Sequence, residues 1–352
     1  MKYAVIGFFA LVVVGYFLGQ HLRASYHLAA AERALDQRDF SEAKSRLDKC
    51  LALRPDDPTV FLLLARTARR AEKYEEAASQ LTVARGKFPT DASLDRERFL
   101  LRMQQQGDWS EVEAALSECL ARGDAADPLT LEAAIIGGLK PLLFAYAQIE
   151  TLPGGKAFPF LLKVQQSTEL WLRLRPNRPD QAQGLTWRGL THAYANDKPK
   201  SLADFRAALE LDPNHHDAQF QLAMSIFQES PLAAAGHLER LLQNDPDDDP
   251  VKYSLALIYR NTGRPNDARR LLDEILVTQP DNLMALIERG SLAIDERQFD
   301  VAERHLLHAI ALSPENPQAN FVFAAYLRAA GRLAEAETYH KRFLRIQGGP
   351  PK

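Results

Sequence analysis

Scarcity comes first. Two cysteines, three tryptophans and four methionines in 352 residues leave few places for redox or cluster chemistry. Two thiols cannot build a disulfide-dense scaffold, although they say nothing against export of the chain. Charge of one sign is also missing: 43 basic residues face 46 acidic ones, for a net charge of -3. A generally nucleic-acid-binding chain is not indicated by that balance, and a hydrophobic content of 46% argues against disorder. No phosphate-cradling P-loop, dinucleotide glycine pattern, nucleophile-elbow serine or metalloprotease helix occurs. Long apolar runs are absent but for one, Ala4–Gly19.

What is present is a recurrence. Ala268, Ala302 and Ala336 stand 34 residues apart, as do Pro246, Pro280 and Pro314. Two helices and two turns fit such a unit, which is too small to bury its own apolar face and must stack on neighbours. Within 249–279, Tyr253, Leu255, Ala256 and Tyr259 recur at helical spacing, and Gly263 suits a left-handed cap. Ala268, Leu272 and Ile275 line a second helix, which Pro280 ends. The next unit repeats this with Leu286, Gly290, Ala293, Phe299, Ala302, Leu306, Ala309 and Pro314. The last gives Phe323, Ala324, Leu327, Gly331, Ala336 and Phe343. Small residues at 256, 290 and 324 belong where the two helices of a hairpin approach closely.

This pattern resembles the tetratricopeptide repeat family, whose unit places small residues at its eighth and twentieth positions and proline near its thirty-second. The match reaches back through Phe40, Ala43, Leu47, Cys50 and Pro55, then Tyr74, Ala77, Leu81, Ala84 and Pro89. A weaker unit holds Trp109, Val112, Leu116 and Cys119, with Asp124 where proline would stand. Gly189, Phe205, Ala208 and Pro213 mark another, and Ala223, Ala234, Leu238, Leu241 and Pro246 the one after. The resemblance covers most of 24–347 and implies an all-α fold, a right-handed superhelical solenoid of antiparallel helix-turn-helix repeats. Cys50 and Cys119 fall at the packed position that Ala84, Ala208 and Ala309 occupy elsewhere, so both read as small core hydrophobes.

The pattern falters between Pro128 and Pro179. Leu131–Lys140 predicts a first helix, with Gly137 and Gly138 free for close packing, and Phe160–Leu174 a second. Pro153, Gly154 and Gly155 lie in an enlarged connection. Two readings stand: a repeat with an insertion in its turn, or a docking loop or seam between superhelical segments. The expected divisions are therefore 1–23, 24–127, 128–179, 180–347 and a tail at 348–352.

Ala4–Gly19 spans about 24 Å as a helix, short of a hydrocarbon core of about 30 Å unless flanking residues through Leu22 extend it. The favoured expectation is an uncleaved single-span anchor over residues 4–22, the solenoid lying on the exported side. A cleaved secretory signal and a core helix are the alternatives. Lys2 opposes His21 and Arg23, so charge hardly fixes orientation.

In the resembled family, the first helices of successive repeats line an inner surface through their second, fifth, ninth and twelfth positions. Carried onto this chain, those places select Phe220, Met224 and Phe227, then Tyr253, Leu257 and Arg260, then Ile287 and Ile294, then Phe321 and Arg328. The set is apolar with a few charges and suits an extended peptide or a partner helix, although core packing would use several of the same residues. Nearer the N-terminus the same face gives Arg66 and Arg69 beside Arg70, with Arg98 and Arg102 in the next unit. Such a cluster suits acidic side chains, a carboxylate terminus or anionic lipid; ordinary solvated surface is the competing reading. The family's carboxylate-clamp pattern is not clearly present on any one pair of repeats.

His305 and His308 sit three apart on one helix but lack a third ligand, so no metal is expected. Asp245, Asp247, Asp248 and Asp249 lack a calcium-loop spacing and read as turn and helix-start acceptors. His192 and Asp204 are a chance pair at this level. The expected function is a membrane-tethered scaffold or assembly factor for protein partners, not an enzyme, with no cofactor and no nucleic acid. An enzyme or enzyme-associated subunit with a site near 128–179 is one alternative, and a structural subunit of an envelope complex the other.

Overall fold

Asparagine or aspartate opens one helix after another. Asp57 Oδ1 accepts from the Thr59 amide at 3.0 Å just ahead of Pro58, and Asn316 Oδ1 from Ala319 at 2.8 Å ahead of Pro317. Each side chain satisfies an amide that has no partner within the helix, and proline costs nothing in the first turn. Asp248 does the same for Val251 at 3.0 Å, as the aspartate cluster predicted. In six of the hairpins the chain turns through one left-handed residue. Gly263 and Gly331 take φ of 76° and 79°, whereas Arg38, Glu72, Asn196 and Arg297 hold that conformation at 57° to 59°.

The computed structural model describes the backbone of residues 2–106, 109–146 and 157–348, and the side chains of 18–105, 110–140 and 159–348. All described regular elements are helical. The chain divides into two compact units, Met1–His215 and His216–Lys352. In the first, α1 (Lys2–Asp36) pairs with α2 (Phe40–Leu53), and α3 (Pro58–Arg70) with α4 (Tyr74–Lys87). Next come α5 (Ala92–Gln106), α6 (Trp109–Arg122), α7 (Pro128–Tyr146) and α8 (Ala157–Leu174), before the pair α9 (Arg178–Tyr194) and α10 (Lys198–Leu211). The second unit holds the hairpins α11 (His216–Ile226) with α12 (Pro231–Asn244) and α13 (Asp249–Asn261) with α14 (Pro265–Thr278). It continues with α15 (Leu283–Asp295) and α16 (Phe299–Leu312), then α17 (Pro317–Ala329) and α18 (Leu333–Ile346).

The recurring small residues do what their spacing predicted. Ala256, Ala268, Ala302 and Ala324 are fully buried. A Cβ added to Gly290 would lie 2.5 Å from Leu306 Cγ, so a larger residue there would displace that side chain between α15 and α16. Cys50 and Cys119 are free and buried, and burial pushes the thiol of Cys119 up to about 11.

The irregular segment is the main departure. The two helices expected there are present as α7 and α8, 128–179 supplies much of the first unit's core, and the two units part at His215. Leu131, Ile135, Phe160, Val164 and Trp171 pack with Leu100 and Leu116 of α5 and α6 and with Trp187 of α9. Gly137 makes this possible, since a Cβ there would meet the Met103 carbonyl oxygen at 2.6 Å. Pro153, Gly154 and Gly155 lie outside the described residues.

The C-terminal part of α1 is the first helix of the first hairpin, burying Ala24, Ala31 and Leu35 with Ala43 and Leu47 of α2. The anchor expected over 4–22 lies, up to Phe17, outside the described side chains. Among the described residues no helix is long and apolar enough to cross a membrane.

Candidate functional site

In the second unit the first helices of successive hairpins touch each other: α13 packs on α15, and α15 on α17. Residues from α13, α15 and α17 therefore share one face, and α11 joins the stack through α12, which packs on α13. Met224 on α11, Met284 on α15 and Phe321 on α17 are 37%, 42% and 46% exposed. Phe220, Phe227 and Tyr253 are half-buried with their inner edges on the core, as is Ile294 in the next layer. Burial pushes the Tyr253 phenol up to about 12, with Glu288 adding to the shift. Phe321 is braced by Phe343 of α18, ring centroids 5.2 Å apart.

Leu257 is half-buried and Arg328 exposed. Ile287 corrects the expectation. It is fully buried in the core shared with Leu306 and Phe323, so it packs the repeat and offers nothing to a partner. Met284, one turn earlier on α15, takes its place; the signal was its position three residues before Ile287 on the same helical face.

Arg260 is fixed rather than free. Its guanidinium reaches Glu288 and Asp295, each at 2.6 Å, and ties α13 to α15. Arg289 binds Asp273 of α14 at 2.8 Å, and the Tyr259 hydroxyl donates to Glu239 at 2.7 Å under the Arg264 guanidinium. These links tie the first three hairpins of the unit to one another, which lowers the ordering cost of binding on their face.

The arginine cluster of the first unit is largely overturned as an open acidic-ligand site. Arg69 is fully buried, with Nε donating to Glu97 at 2.6 Å and Nη1 to Gln104 at 2.8 Å. Arg66 shares Glu97 at 3.2 Å. Arg70 is buried against Glu132, Nε lying 2.9 Å from Oε2, and donates to the Leu35 carbonyl. Arg102 pairs with Glu111 at 3.3 Å, while Arg98 is exposed. The anions that these arginines were expected to capture are already in the chain.

Glu132 is the centre of that network. Arg38 donates to it at 2.8 Å and to Asp180 at 3.2 Å, and Arg175 binds Asp180 at 2.6 Å. Burial opposes ionisation of Glu132, but Arg70, Arg38 and Arg69 outweigh it and hold the carboxyl down at about 2. The Trp171 indole donates to the Asp180 carbonyl at 3.1 Å, closing the hub from the irregular segment.

His192 and Asp204, read from sequence as a chance pair, do converge, 3.6 Å apart. They line a 380 Å³ depression with Gln165, Glu169, Arg188, Lys200 and Ala203. Asp204 is nevertheless held by Arg188 in two hydrogen bonds of 2.6 and 3.0 Å, the geometry of a structural ion pair. His308 pairs with Asp281 at 2.8 Å, and among the described residues no three metal-ligating side chains gather.

Two family models described as "Tetratricopeptide repeat" match the chain. One covers residues 34–96 and 228–287, the other 187–249 and 287–350. Tetratricopeptide repeat protein 7B of Mus musculus is 27% identical over 250 residues, 70% of this chain and 28% of its own length. The Drosophila melanogaster protein O-mannosyl-transferase Tmtc3 is 30% identical over 153 residues, 39% of this chain and 16% of its own. The chain thus spans under a third of the length of these curated relatives. Among solved structures, MamA is 21% identical with a TM-score of 0.40, covering 47% of this chain and 98% of its own. PilW, a type IV pilus biogenesis factor, is 22% identical with a TM-score of 0.44, covering 47% and 78%.

Proposed function

The chain belongs to the tetratricopeptide-repeat family, and we propose that it is a membrane-tethered scaffold that holds a protein partner on its second unit. The partner lies as an extended peptide or an amphipathic helix along the first helices, α11, α13, α15 and α17. The observation that carries this reading is the exposed apolar line Met224, Met284 and Phe321, in a stack where ion pairs tie α13 to α15. Half-buried aromatic rings and methionines provide anchoring area at small entropic cost, and a rigid support keeps it. Arg328, exposed at the end of that line, supplies a charge for a partner carboxylate.

The tether is the apolar run over residues 4–22, placing the repeats on the exported side. Its support is the uncharged sequence Ala4–Gly19, with Leu18 and Leu22 near its end exposing 56% and 60% of their surface. Alkaline extraction of membranes tests it: an integral anchor stays in the pellet, and deletion of 2–23 releases the chain.

Photo-crosslinking tests the binding face. A benzophenone side chain at Met284 or Phe321 is expected to join the chain to the same partner in its own cells. One at Val277 or Leu232, exposed on α14 and α12, is not. Equal capture from both sets of positions would remove the proposal.

A further inference from the structure

The interior of the first unit is filled by its own charges, so a partner of that unit must dock elsewhere. A 590 Å³ cleft opens between α2 and the helices α3 and α4, within the size range of ligand-binding clefts. Its floor is apolar, made by Phe40, Ala52, Leu64, Ala68 and Ala71, with Ser41 and Ser45 along one wall.

The corresponding gap one repeat later is closed. Between α4 and α5 only 80 Å³ remains, lined by Thr82, Arg85, Leu94, Asp95 and Arg98 among others. Arg85 pairs with Asp95 at 2.7 Å across that space. The first gap is also crossed by an ion pair, Lys44 of α2 with Glu76 of α4, yet it keeps its 590 Å³. Small side chains on both walls leave volume that the fold itself does not fill.

The rim carries charge with a direction. Lys44 is hydrogen-bonded to Glu76, so those two neutralise each other. Lys49 and Lys73 are exposed and make no ion pair among the described residues, while Asp48 is the remaining acid of the lining. Two spare ammonium groups over an apolar floor are complementary to carboxylates flanking a bulky apolar side chain.

We propose that this cleft is a second docking site, separate from the face of α11–α17, for an acidic amphipathic segment of a partner protein. One large apolar side chain enters over Leu64 and Ala68, and two carboxylates meet Lys49 and Lys73. Because lysine binds as a mobile point charge, recognition here is salt-sensitive.

Three labelled helical peptides test this on the full-length chain by fluorescence anisotropy. One has a leucine stripe flanked by glutamates, one the same stripe flanked by lysines, and one is the acidic peptide scrambled to destroy the stripe. Saturable binding is expected for the first alone, weakened about tenfold in Ser45→Trp, which fills the cleft, and in Lys49→Glu/Lys73→Glu, which reverses its rim. Met224→Glu leaves this binding unchanged, and thermal unfolding confirms that each variant is folded. No saturable binding, equal binding of the lysine or scrambled peptide, or undiminished binding to both cleft variants overturns the proposal. Binding of anionic phosphatidylserine vesicles that is lost in Lys49→Glu/Lys73→Glu but kept in Ser45→Trp also overturns it, in favour of a lipid surface.

Discussion

Arg38 and Glu132 meet at 2.8 Å inside the first unit although 94 residues separate them in sequence. Arg38 stands in the left-handed conformation, at φ 57°, where glycine closes the equivalent turns at Gly263 and Gly331. A non-glycine residue there costs about 1 kcal/mol. The side chain recovers that cost through Glu132 and Asp180 and by lying over the rings of Phe40 and Trp187. One turn residue thus joins the first hairpin to α7 and α9.

Replacing Glu132 by Gln is expected to destabilise the first unit by about 3–5 kcal/mol, because it removes the carboxylate that the buried Arg38 and Arg70 share. All three tryptophans, Trp109, Trp171 and Trp187, lie in this unit, so tryptophan fluorescence during urea unfolding reports it alone. A loss below 1 kcal/mol would show that the hub is solvated.

Two turn residues with the same backbone should respond oppositely to glycine. Arg297 also sits at φ 57° but is exposed, and Arg297→Gly is expected to stabilise the second unit by about 0.5 kcal/mol, relief of strain exceeding added chain entropy. Arg38→Gly relieves the same strain and still destabilises, since the hub loses its link. Chemical denaturation of the two variants decides it, and stabilisation by both would refute the role given to Arg38.

The two units should also answer pH in opposite directions. Glu132 is held at about 2, below its ordinary 4.5, so its contribution is complete above 4.5 and fades as pH falls toward 2. That window carries on the order of 3 kcal/mol, since each tenfold change in proton affinity is worth about 1.4 kcal/mol. In the second unit, a hydrogen bond to Asp217 and another to Asp248 outweigh burial and raise His216 to about 9. Its contribution is complete below 6.5 and is lost as pH rises through 9. Tryptophan-detected unfolding follows the first window, and the imidazole proton resonances of His216 follow the second; a titration midpoint for His216 near 6.5 would contradict its pairing with Asp248.

Packing limits are sharpest at Gly137, where a methyl group would press on a main-chain oxygen. Gly137→Ala is expected to cost about 1–3 kcal/mol by overpacking, while Gly236→Ala on α12, with open space around it, stabilises its exposed helix slightly. Thermal melts of the pair provide the check.

The hairpins were legible because their signal is local and periodic. Ala256, Gly290 and Ala324 recur at one spacing since each faces the same close helix contact. The face of the second unit was legible for the same reason, apart from Ile287, which packs inward, and Arg260, which Glu288 and Asp295 hold. The hub was not legible. Arg70 and Glu132 are 62 residues apart and Arg38 and Asp180 are 142 apart, so no helical period links them. Arg69 and Arg70 therefore read as surface charges until the fold brought Glu97 and Glu132 against them. The boundary at His215 was hidden too, because the break in the repeat pattern falls at 128–179, whose leucines and tryptophan build a core.

The central claim is that the exposed apolar face of the second unit holds a protein partner. The direct measurement is the amount of that partner bound by the full-length chain when Met224 and Phe321 are both replaced by Glu. The account predicts that binding falls at least tenfold while the unfolding midpoint stays unchanged. Undiminished binding by that folded variant would contradict it.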